Sequence, residues 1–208
     1  MRPDAGDKHA SYAADVTIYV ESERSAQRVL ESISRWLAKH LKLEVNQEKS
    51  SVRPPDEGSF LGFRIEGGEI VISEKSMKRF REEVRKTWNA RWSVSSEERI
   101  KRWQSYLTRW WNYFRLSERD WEWRDQSGWV RRHMRKCIWQ CWHNWKGRRN
   151  ALEKMGIRGR GLKIAHSSRG AWRVAMALNR VLTNEKLRSY GMEVPEDLAQ
   201  RKQKEVSV

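Results

Sequence analysis

Arginine and lysine dominate residues 131–180, where Glu153 is the only acidic residue. A solvated surface normally mixes both signs of charge, so this one-sided stretch favours a polyanionic partner over a merely solubilising role. Guanidinium groups pair with phosphates, and Gly159 and Gly161 let backbone amides approach an anion. We therefore predict a nucleic-acid-binding surface here. Its predicted contact residues are Arg131, Arg132, Arg135, Lys136, Arg148, Arg149, Arg158, Arg160, Lys163, Arg169 and Arg173.

His133, Cys137 and Cys141 recur every four residues, which places them on one face of a helix. A structural zinc site needs four ligands, normally drawn from two elements. His143 falls on another helix face and His166 is distant in sequence, so only half of such a site is visible. We therefore predict no metal site here and expect two small buried thiols.

The charge and the tryptophans are concentrated in the second part of the chain. The 208 residues carry a net charge of +16, divided into −2 for residues 1–75 and +18 for residues 76–208. Twelve of the 13 tryptophans also lie in the second part. So many tryptophans exclude a disordered chain. We expect most of them to pack a core and a minority to stack on bases.

The chain is expected to be a cytoplasmic protein with no membrane partner. No apolar run approaches the roughly 18 residues that a membrane span requires, and no signal peptide opens the sequence. Two cysteines cannot build a disulfide framework, which favours a reducing compartment.

The first part of the sequence predicts an α+β fragment. Residues 16–20 are β-branched and aromatic, as in a strand, and Ser22 can cap a following helix with an apolar stripe. Residues 60–65 and 69–72 then flank Gly67-Gly68, the pattern of a tight hairpin. The set is too small for a closed sheet, so we expect partner strands upstream.

The second part predicts a helical bundle. Apolar spacing places helices near residues 74–91, 95–116, 127–146, 147–155 and 170–189, with Ser95 and Ser127 as caps. The predicted organisation is a strand-helix-hairpin domain over residues 1–73, a helical domain over residues 74–194 and a polar, frayed tail over residues 195–208.

Several short motifs occur in a familiar order. Tyr12-Ala13-Ala14-Asp15 precedes a strand, an Asn46-x-x-Lys49 segment follows, and Phe60-Leu61-Gly62-Phe63 comes next. Trp129-Val130-Arg131-Arg132 and Trp172-Arg173-Val174-Ala175 lie in the helical part. Together they resemble the late palm and the thumb or maturase domain of group II intron reverse transcriptases. The resemblance implies a partial palm followed by a predominantly α-helical thumb.

The resemblance also implies a damaged polymerase centre. Two-metal nucleotidyl transfer uses grouped carboxylates, which in this family come from an upstream strand and from a Tyr-Ala-Asp-Asp turn. Here Ala14 replaces the first aspartate of the turn, and Asp15 is a single residual carboxylate. We expect the isolated chain to need no cofactor and to extend no primer, although Mg²⁺ serves the intact family.

Other matched positions have two interpretations each. Lys49 would contact a nucleotide in the family, but without a nucleotide site such a residue is more often a solvated surface lysine. Phe60, Leu61, Gly62 and Phe63 would hold a primer terminus, but alternating apolar residues in a hairpin are mainly core.

Three functions are compared on these grounds. The first is an RNA-binding maturase-type protein that recognises structured group II intron RNA and assists splicing. The second is an RNA-directed DNA polymerase subunit completed by a separately encoded fingers-and-palm fragment. The third, a DNA-binding or membrane-surface protein, lacks a supporting motif.

Overall fold

The computed structural model describes residues 8–12, 15–46 and 48–206. The chain divides into two compact units, Met1–Ser73 and Glu74–Val208. Within the described residues the strands lie in the first unit, and the second unit is helical. The predicted α+β class is therefore confirmed.

The first unit opens with an antiparallel pair of strands, β1 (Lys8–Tyr12) and β2 (Asp15–Tyr19). Tyr12 lies opposite Asp15 in the register, and Lys8 lies opposite Tyr19. The strand predicted over residues 16–20 is thus confirmed with a shift of one position. Ala13 and Ala14 lie outside the described residues.

Helix α1 (Glu23–Trp36) follows and begins at the predicted cap. The Ser25 amide donates a hydrogen bond to the Ser22 hydroxyl oxygen at 3.2 Å. A π-helical turn, Leu37–Leu41, extends the helix. The apolar stripe is present, yet the described residues bury none of the α1 side chains.

The second hairpin consists of β3 (Phe63–Glu66) and β4 (Glu69–Ile72). Gly67 and Gly68 both have positive φ, 61° and 85°, as a type I′ turn requires. The hairpin prediction is therefore confirmed. Its first strand starts later than the predicted residue 60 because Leu61 and Gly62 form a tight turn with positive φ.

The second unit contains seven α-helices and two short 3₁₀ segments, Gly159–His166 and Leu178–Arg180, within its described residues. The predicted Ser95 cap is confirmed, because its hydroxyl oxygen accepts a hydrogen bond from the Glu98 amide at 3.1 Å. The helices are α2 (Glu74–Thr87), α3 (Ser96–Phe114), α4 (Asp120–Cys141), α5 (Trp145–Lys154), α6 (Ala171–Ala177), α7 (Asn184–Ser189) and α8 (Pro195–Val206).

Tryptophans fill much of the core of the second unit, as predicted. The ring of Phe80 stacks on Trp110 with centroids 4.2 Å apart, and Trp123 meets Trp110 edge-on at 5.5 Å. Trp103 is fully buried, and its indole N–H donates to the Glu193 carbonyl at 2.7 Å. A second cluster surrounds the buried Trp139 and joins α4 to α6.

Helix α4 begins at Asp120, well before the predicted start near residue 127. The prediction that Ser127 caps this helix is wrong. Ser127 is buried within the helix, and its hydroxyl oxygen accepts a hydrogen bond from the Glu196 amide at 3.0 Å. A serine inside a helix can bond to a neighbouring element just as a capping serine bonds to its own helix.

The end of the chain also differs from the prediction. The helix predicted over residues 170–189 is interrupted, because Thr183 caps a new helix by accepting from the Lys186 amide at 3.3 Å. The segment predicted as a frayed tail forms α8, in which Asp197 is buried. An ion pair with α4 explains why so polar a segment is ordered.

Candidate nucleic-acid interface

Arg131 lies on the face of α4 that packs against α8, and only 7% of its surface is exposed. Its guanidinium donates to the Glu196 carboxylate at 2.7 Å and to the Asp197 carboxylate at 2.8 Å. Asp197 also accepts a hydrogen bond from the Val194 amide at 2.9 Å. Arg131 therefore joins α4 to α8 instead of pointing into solvent.

Arg135 lies one helical turn further along the same face and is also buried. Its guanidinium donates to the Leu182 carbonyl at 2.9 Å and to the Asn184 side-chain oxygen at 2.8 Å. Burial, with a smaller contribution from the charge of Arg131, lowers the pKa of Arg135 to about 10. The group still carries its charge at neutral pH and fixes the start of α7.

Arg132 and Lys136 lie on a different face of α4, beside Trp172 of α6. The Arg132 guanidinium is 5.4 Å from the centroid of the Trp172 ring, and the Lys136 ammonium is 4.6 Å from it. Arg132 also donates to the Met176 sulfur at 3.1 Å. Both contacts are weak and leave the cations able to meet a phosphate.

Three further predicted contacts have partners within ten residues along the chain. Arg148 lies 4.0 Å from the centroid of the Trp139 ring and donates to the His143 carbonyl. Arg149 pairs with the Glu153 carboxylate at 3.0 Å, an exposed ion pair of low energy. Arg158 donates to the Glu153 carbonyl at 2.7 Å.

The remaining predicted contacts are exposed and follow α5. Within the part of the chain that the structure describes, their side chains form no ion pair and no hydrogen bond. These residues are Arg160, Lys163, Arg169 and Arg173. Together with Arg132 and Lys136 they are called the outer cations below.

A cleft of about 540 Å³ opens beside the outer cations of α4. One wall is a single face of α4, with Trp129, His133, Lys136 and Gln140 spaced by four, three and four residues. Trp172 contributes the α6 side. The other wall is the end of α2 and the turn after it, and its lining residues are Arg85, Trp88, Asn89, Ala90 and Arg91.

A buried arginine holds the turn that forms this second wall. Arg99 of α3 is 5% exposed and donates to the carbonyls of Asn89 and Trp92 at 2.9 and 2.8 Å. It also donates to the Thr87 carbonyl, which satisfies the carboxyl end of α2. The turn over residues 88–92 is therefore fixed by charge-assisted hydrogen bonds and is a preformed wall.

The chemistry of the cleft was not predicted from the sequence. Among the residues that the structure describes, its lining contains three tryptophans, three cations and one histidine and no carboxylate. The spacing of Trp129, His133, Lys136 and Gln140 on one helix face was a usable signal. Sequence gave no indication that Arg85 and Arg91 would meet this face, because they lie on another helix and its turn.

His133 is buried between two aromatic rings of the cleft. Its ring centroid lies 4.2 Å from that of Trp129 and 4.7 Å from that of Trp172. Burial, followed by the charges of Lys136, Arg85 and Arg132, lowers the pKa of His133 to about 4. The imidazole is therefore neutral at pH 7 and can both donate and accept a hydrogen bond.

The palm-like motifs are found in the first unit. The Phe60 and Phe63 backbones exchange two hydrogen bonds of 2.9 Å around the Leu61-Gly62 turn. Lys49 is exposed in a turn that Asn46 caps. The predicted primer-holding and nucleotide-contacting roles of these residues stay predictions.

The described residues do not fit a Mg²⁺ centre. They contain no group of three acidic, histidine or cysteine side chains that could share a metal ion. Asp15 begins β2, but its side chain lies outside the part of the structure that is described. No metal-dependent step is therefore assigned to these residues. Of the two cysteines, Cys137 is buried as expected, but Cys141 is exposed.

Two family models match the chain. Residues 77–156 are similar to the group II intron, maturase-specific domain. Residues 1–65 are similar to the reverse transcriptase (RNA-dependent DNA polymerase) family. A comparison with individually curated proteins finds no match. The first match includes most of the cleft, whereas Trp172 and four outer cations follow it.

The helices described in the structure include none that is both long and apolar enough to cross a bilayer.

Proposed function

Because the chain belongs to the group II intron-encoded reverse transcriptases and maturases, we propose that it binds structured intron RNA and assists its folding for splicing. We assign residues 1–73 to the late palm and residues 74–194 to the thumb and maturase domain. The outer cations form the contact surface. Arg131 and Arg135 are left out because their guanidinium groups are buried.

The observation that carries this proposal is the set of exposed cations without internal partners on a maturase-type unit. Arg160, Lys163, Arg169 and Arg173 have no described side-chain acceptor, so nothing within the described chain competes with a phosphate for them. An intramolecular ion pair would have to be broken before RNA could bind. Their freedom therefore favours phosphate binding over a structural role.

The shape of the partner follows from the same chemistry. Double-stranded RNA presents phosphates and 2′-hydroxyls across a wide, shallow minor groove, whereas side chains cannot read the base edges in its deep, narrow major groove. Arginine suits phosphate better than lysine does because its planar fork makes two parallel bonds. An arginine-rich surface therefore supports recognition of folded RNA by shape and charge.

The direct test is the salt dependence of binding to a transcribed group II intron RNA. Each phosphate contact that releases counterions adds to the slope of log K against log salt. Replacing Arg160, Lys163 and Arg173 by alanine together should flatten this slope by up to about three contacts. The yield of ligated exons from the same transcript at low Mg²⁺ concentration should fall in parallel.

The matched control replaces Arg24, Arg28 and Arg35, three exposed arginines of α1, by alanine. It removes the same charge from the first unit and should change the slope little. Equal slopes for the two triple variants would contradict the proposal. Equal competition by a duplex DNA of the same length would do so as well, because a DNA duplex lacks 2′-hydroxyls.

One observation favours a second candidate function, a polymerase subunit completed by a fingers-and-palm fragment. The described residues bury none of the α1 side chains fully, and Trp36 at the end of α1 and Leu41 in the turn after it are 53% and 52% exposed. Neighbouring apolar side chains left in solvent are typical of an interaction surface. A complementary palm fragment would cover them.

This second function is tested by primer extension. The chain is mixed with a separately expressed fingers-and-palm fragment, with and without Ala14→Asp. Extension that requires both chains and rises with Ala14→Asp would support it. If neither mixture extends the primer while intron RNA binding is intact, the polymerase-subunit function is wrong and the RNA-binding function remains.

A further inference from the structure

The cleft between α4, α6 and the turn after α2 excludes most ligand classes by charge. Arg85, Arg91 and Lys136 line it, and none of the described lining residues carries a carboxylate. A cationic or neutral apolar ligand would leave these cations uncompensated. The volume of about 540 Å³ lies within the roughly 300–1,000 Å³ that small-ligand sites occupy. The fitting ligand is therefore a small anion.

The aromatic lining restricts the class of ligand further. Trp129 and Trp172 carry cations near their rings, with the Arg85 guanidinium 5.4 Å from the Trp129 centroid and the Lys136 ammonium 4.6 Å from that of Trp172. Trp172 remains 40% exposed at the rim. A planar ring could stack on this exposed indole while its attached phosphate meets the cations. Nucleotides combine both groups in one ligand.

Polar groups on the walls match the edge of a base. His133, Gln140 and Asn89 line the cleft, and amide side chains offer both donors and acceptors. Because burial and nearby cations keep the pKa of His133 at about 4, its neutral ring also offers one donor and one acceptor. Trp88 lines the wall, and its buried indole N–H has no acceptor among the described residues.

The concave shape of the cleft would admit an unpaired nucleotide and exclude a base-paired one. In an A-form helix the bases are stacked on each other and their faces are hidden, so a side chain in a cleft cannot stack on them. A nucleotide in a loop or bulge can leave the stack and enter a pocket. The outer cations next to the cleft would meet the phosphates on either side of such a nucleotide.

We propose that this cleft binds one unpaired nucleotide of the RNA, stacking its base on Trp172 and pairing its phosphate with Lys136, Arg85 and Arg91. The inference rests on the proposed RNA-binding function and adds a site for a single-stranded element to it. The outer cations other than Lys136 then hold the folded body of the RNA, and the cleft selects a loop or bulge beside it.

The test compares two RNA probes and four variants of the full chain. One probe is a short single-stranded RNA with 2-aminopurine at its centre, whose fluorescence reports stacking, and the other is a blunt RNA duplex of equal charge. Trp172→Ala should weaken binding of the single strand about 10-fold or more and abolish the fluorescence change. Trp172→Phe should restore most of both, because phenylalanine also stacks.

The control is Trp145→Ala, which removes a tryptophan of similar exposure, 45%, that lies outside the cleft lining. It should leave binding of the single strand unchanged. Lys136→Ala provides a second cleft variant that keeps both rings and should weaken the single strand more than the duplex. Circular dichroism confirms that each variant is folded.

The outcomes separate this inference from the proposed function. If Trp172→Ala and Trp145→Ala bind the single strand equally well, the cleft is not a nucleotide site, even though salt-dependent binding of intron RNA persists. If Trp172→Ala weakens the duplex as much as the single strand, the cleft does not select unpaired nucleotides. If no RNA binds to the wild-type chain, both the site and the RNA-binding function are wrong.

Discussion

Two pairs of cations on α4 differ by a single position and have different environments. Arg131 and Arg135 face α7 and α8, where carboxylates and a carbonyl hold them in the interior. Arg132 and Lys136 face Trp172 and have access to solvent. A step of one residue turns an α-helix by about 100°, so adjacent arginines necessarily point to different surroundings.

The difference shows what a basic cluster can and cannot establish. A buried arginine and an exposed one contribute equally to net charge, but a buried arginine has its hydrogen-bond donors satisfied within the protein. The acidic partners of Arg131 lie far along the chain, at Glu196 and Asp197. The number of cations available to a polyanion is therefore smaller than the number in the sequence.

The largest expected effect is on the buried side of this comparison. Arg131→Ala removes the nearest cation from the buried Asp197 carboxylate and leaves it Arg188, 3.6 Å away. Breaking a buried pair from one side costs up to about 3–5 kcal/mol. We expect the free energy of unfolding to fall by about that amount, with α8 detaching from α4. Urea denaturation followed by circular dichroism measures the change.

The control for this variant is its neighbour. Arg132→Ala removes the same side chain from the exposed face and should change stability by less than about 1 kcal/mol. Equal losses of stability in Arg131→Ala and Arg132→Ala would show that the two faces of α4 do not differ as described.

The second prediction concerns pH and the histidine beside the exposed pair. The folded protein keeps His133 neutral down to about pH 4, whereas the unfolded chain protonates it near its ordinary pKa of 6.5. As pH falls, the unfolded state therefore binds the proton first. The contribution of His133 to stability is complete above pH 6.5 and is lost progressively between pH 6.5 and 4, up to about 3 kcal/mol.

The pH effect is measured as a difference between two proteins. Urea denaturation of the wild type and of His133→Gln is followed from pH 7 to pH 4, which cancels the titration of shared carboxylates. The variant should lose less stability than the wild type over this window. Parallel curves would mean that His133 titrates alike in the folded and unfolded states.

The sequence predicted the fold class because its signals were local. Ser22 and Ser95 cap helices, and Gly67-Gly68 turns a hairpin, through contacts that span three residues or fewer. Ser127 was misjudged because its partner is an amide of residue 196, on another helix. The prediction of a frayed tail was wrong for the same reason, because the ion pairs that order α8 are made with Arg131 of α4.

The candidate site was predictable in composition but not in geometry. The charge pattern placed Arg160, Lys163 and Arg173 in the predicted contact surface; the structure exposes all three, and their binding role stays a prediction. The same pattern also placed the buried Arg131 in the contact surface, because burial depends on which helices pack together. The cleft was missed because its walls come from segments about 40 residues apart, whose meeting depends on tertiary packing and on Arg99 holding the turn.

The third prediction tests the exposed side of α4. Replacing Arg132 and Lys136 together by alanine should reduce the salt slope of intron RNA binding by up to about two contacts and leave unfolding nearly unchanged. Arg135→Ala is the contrasting variant and should lower stability, because it leaves the Leu182 carbonyl without its donor. Binding that is unaffected by the double variant would remove α4 from the contact surface.

The prediction with the smallest expected effect on stability concerns the reactivity of two cysteines at the carboxyl end of α4, where its buried face meets solvent. Cys137 is buried and Cys141, one turn later, is exposed. A hydrogen bond between the two thiols, together with the charges of Arg99 and His143, lowers the pKa of Cys141 to about 6. The same hydrogen bond and burial raise the pKa of Cys137.

These directions predict selective alkylation. The carboxyl end of a helix disfavours a thiolate, so the hydrogen bond from Cys137 and the nearby cations must outweigh the helix dipole. Iodoacetamide should modify Cys141 and spare Cys137 in the folded protein, with a rate that rises through about pH 6. In Cys137→Ala the donor is lost, so the rate should rise at a higher pH. Peptide mass spectrometry measures the alkylation of both cysteines. If the pH dependence of the rate is unchanged in Cys137→Ala, exposure alone, without the hydrogen bond, sets the reactivity of Cys141.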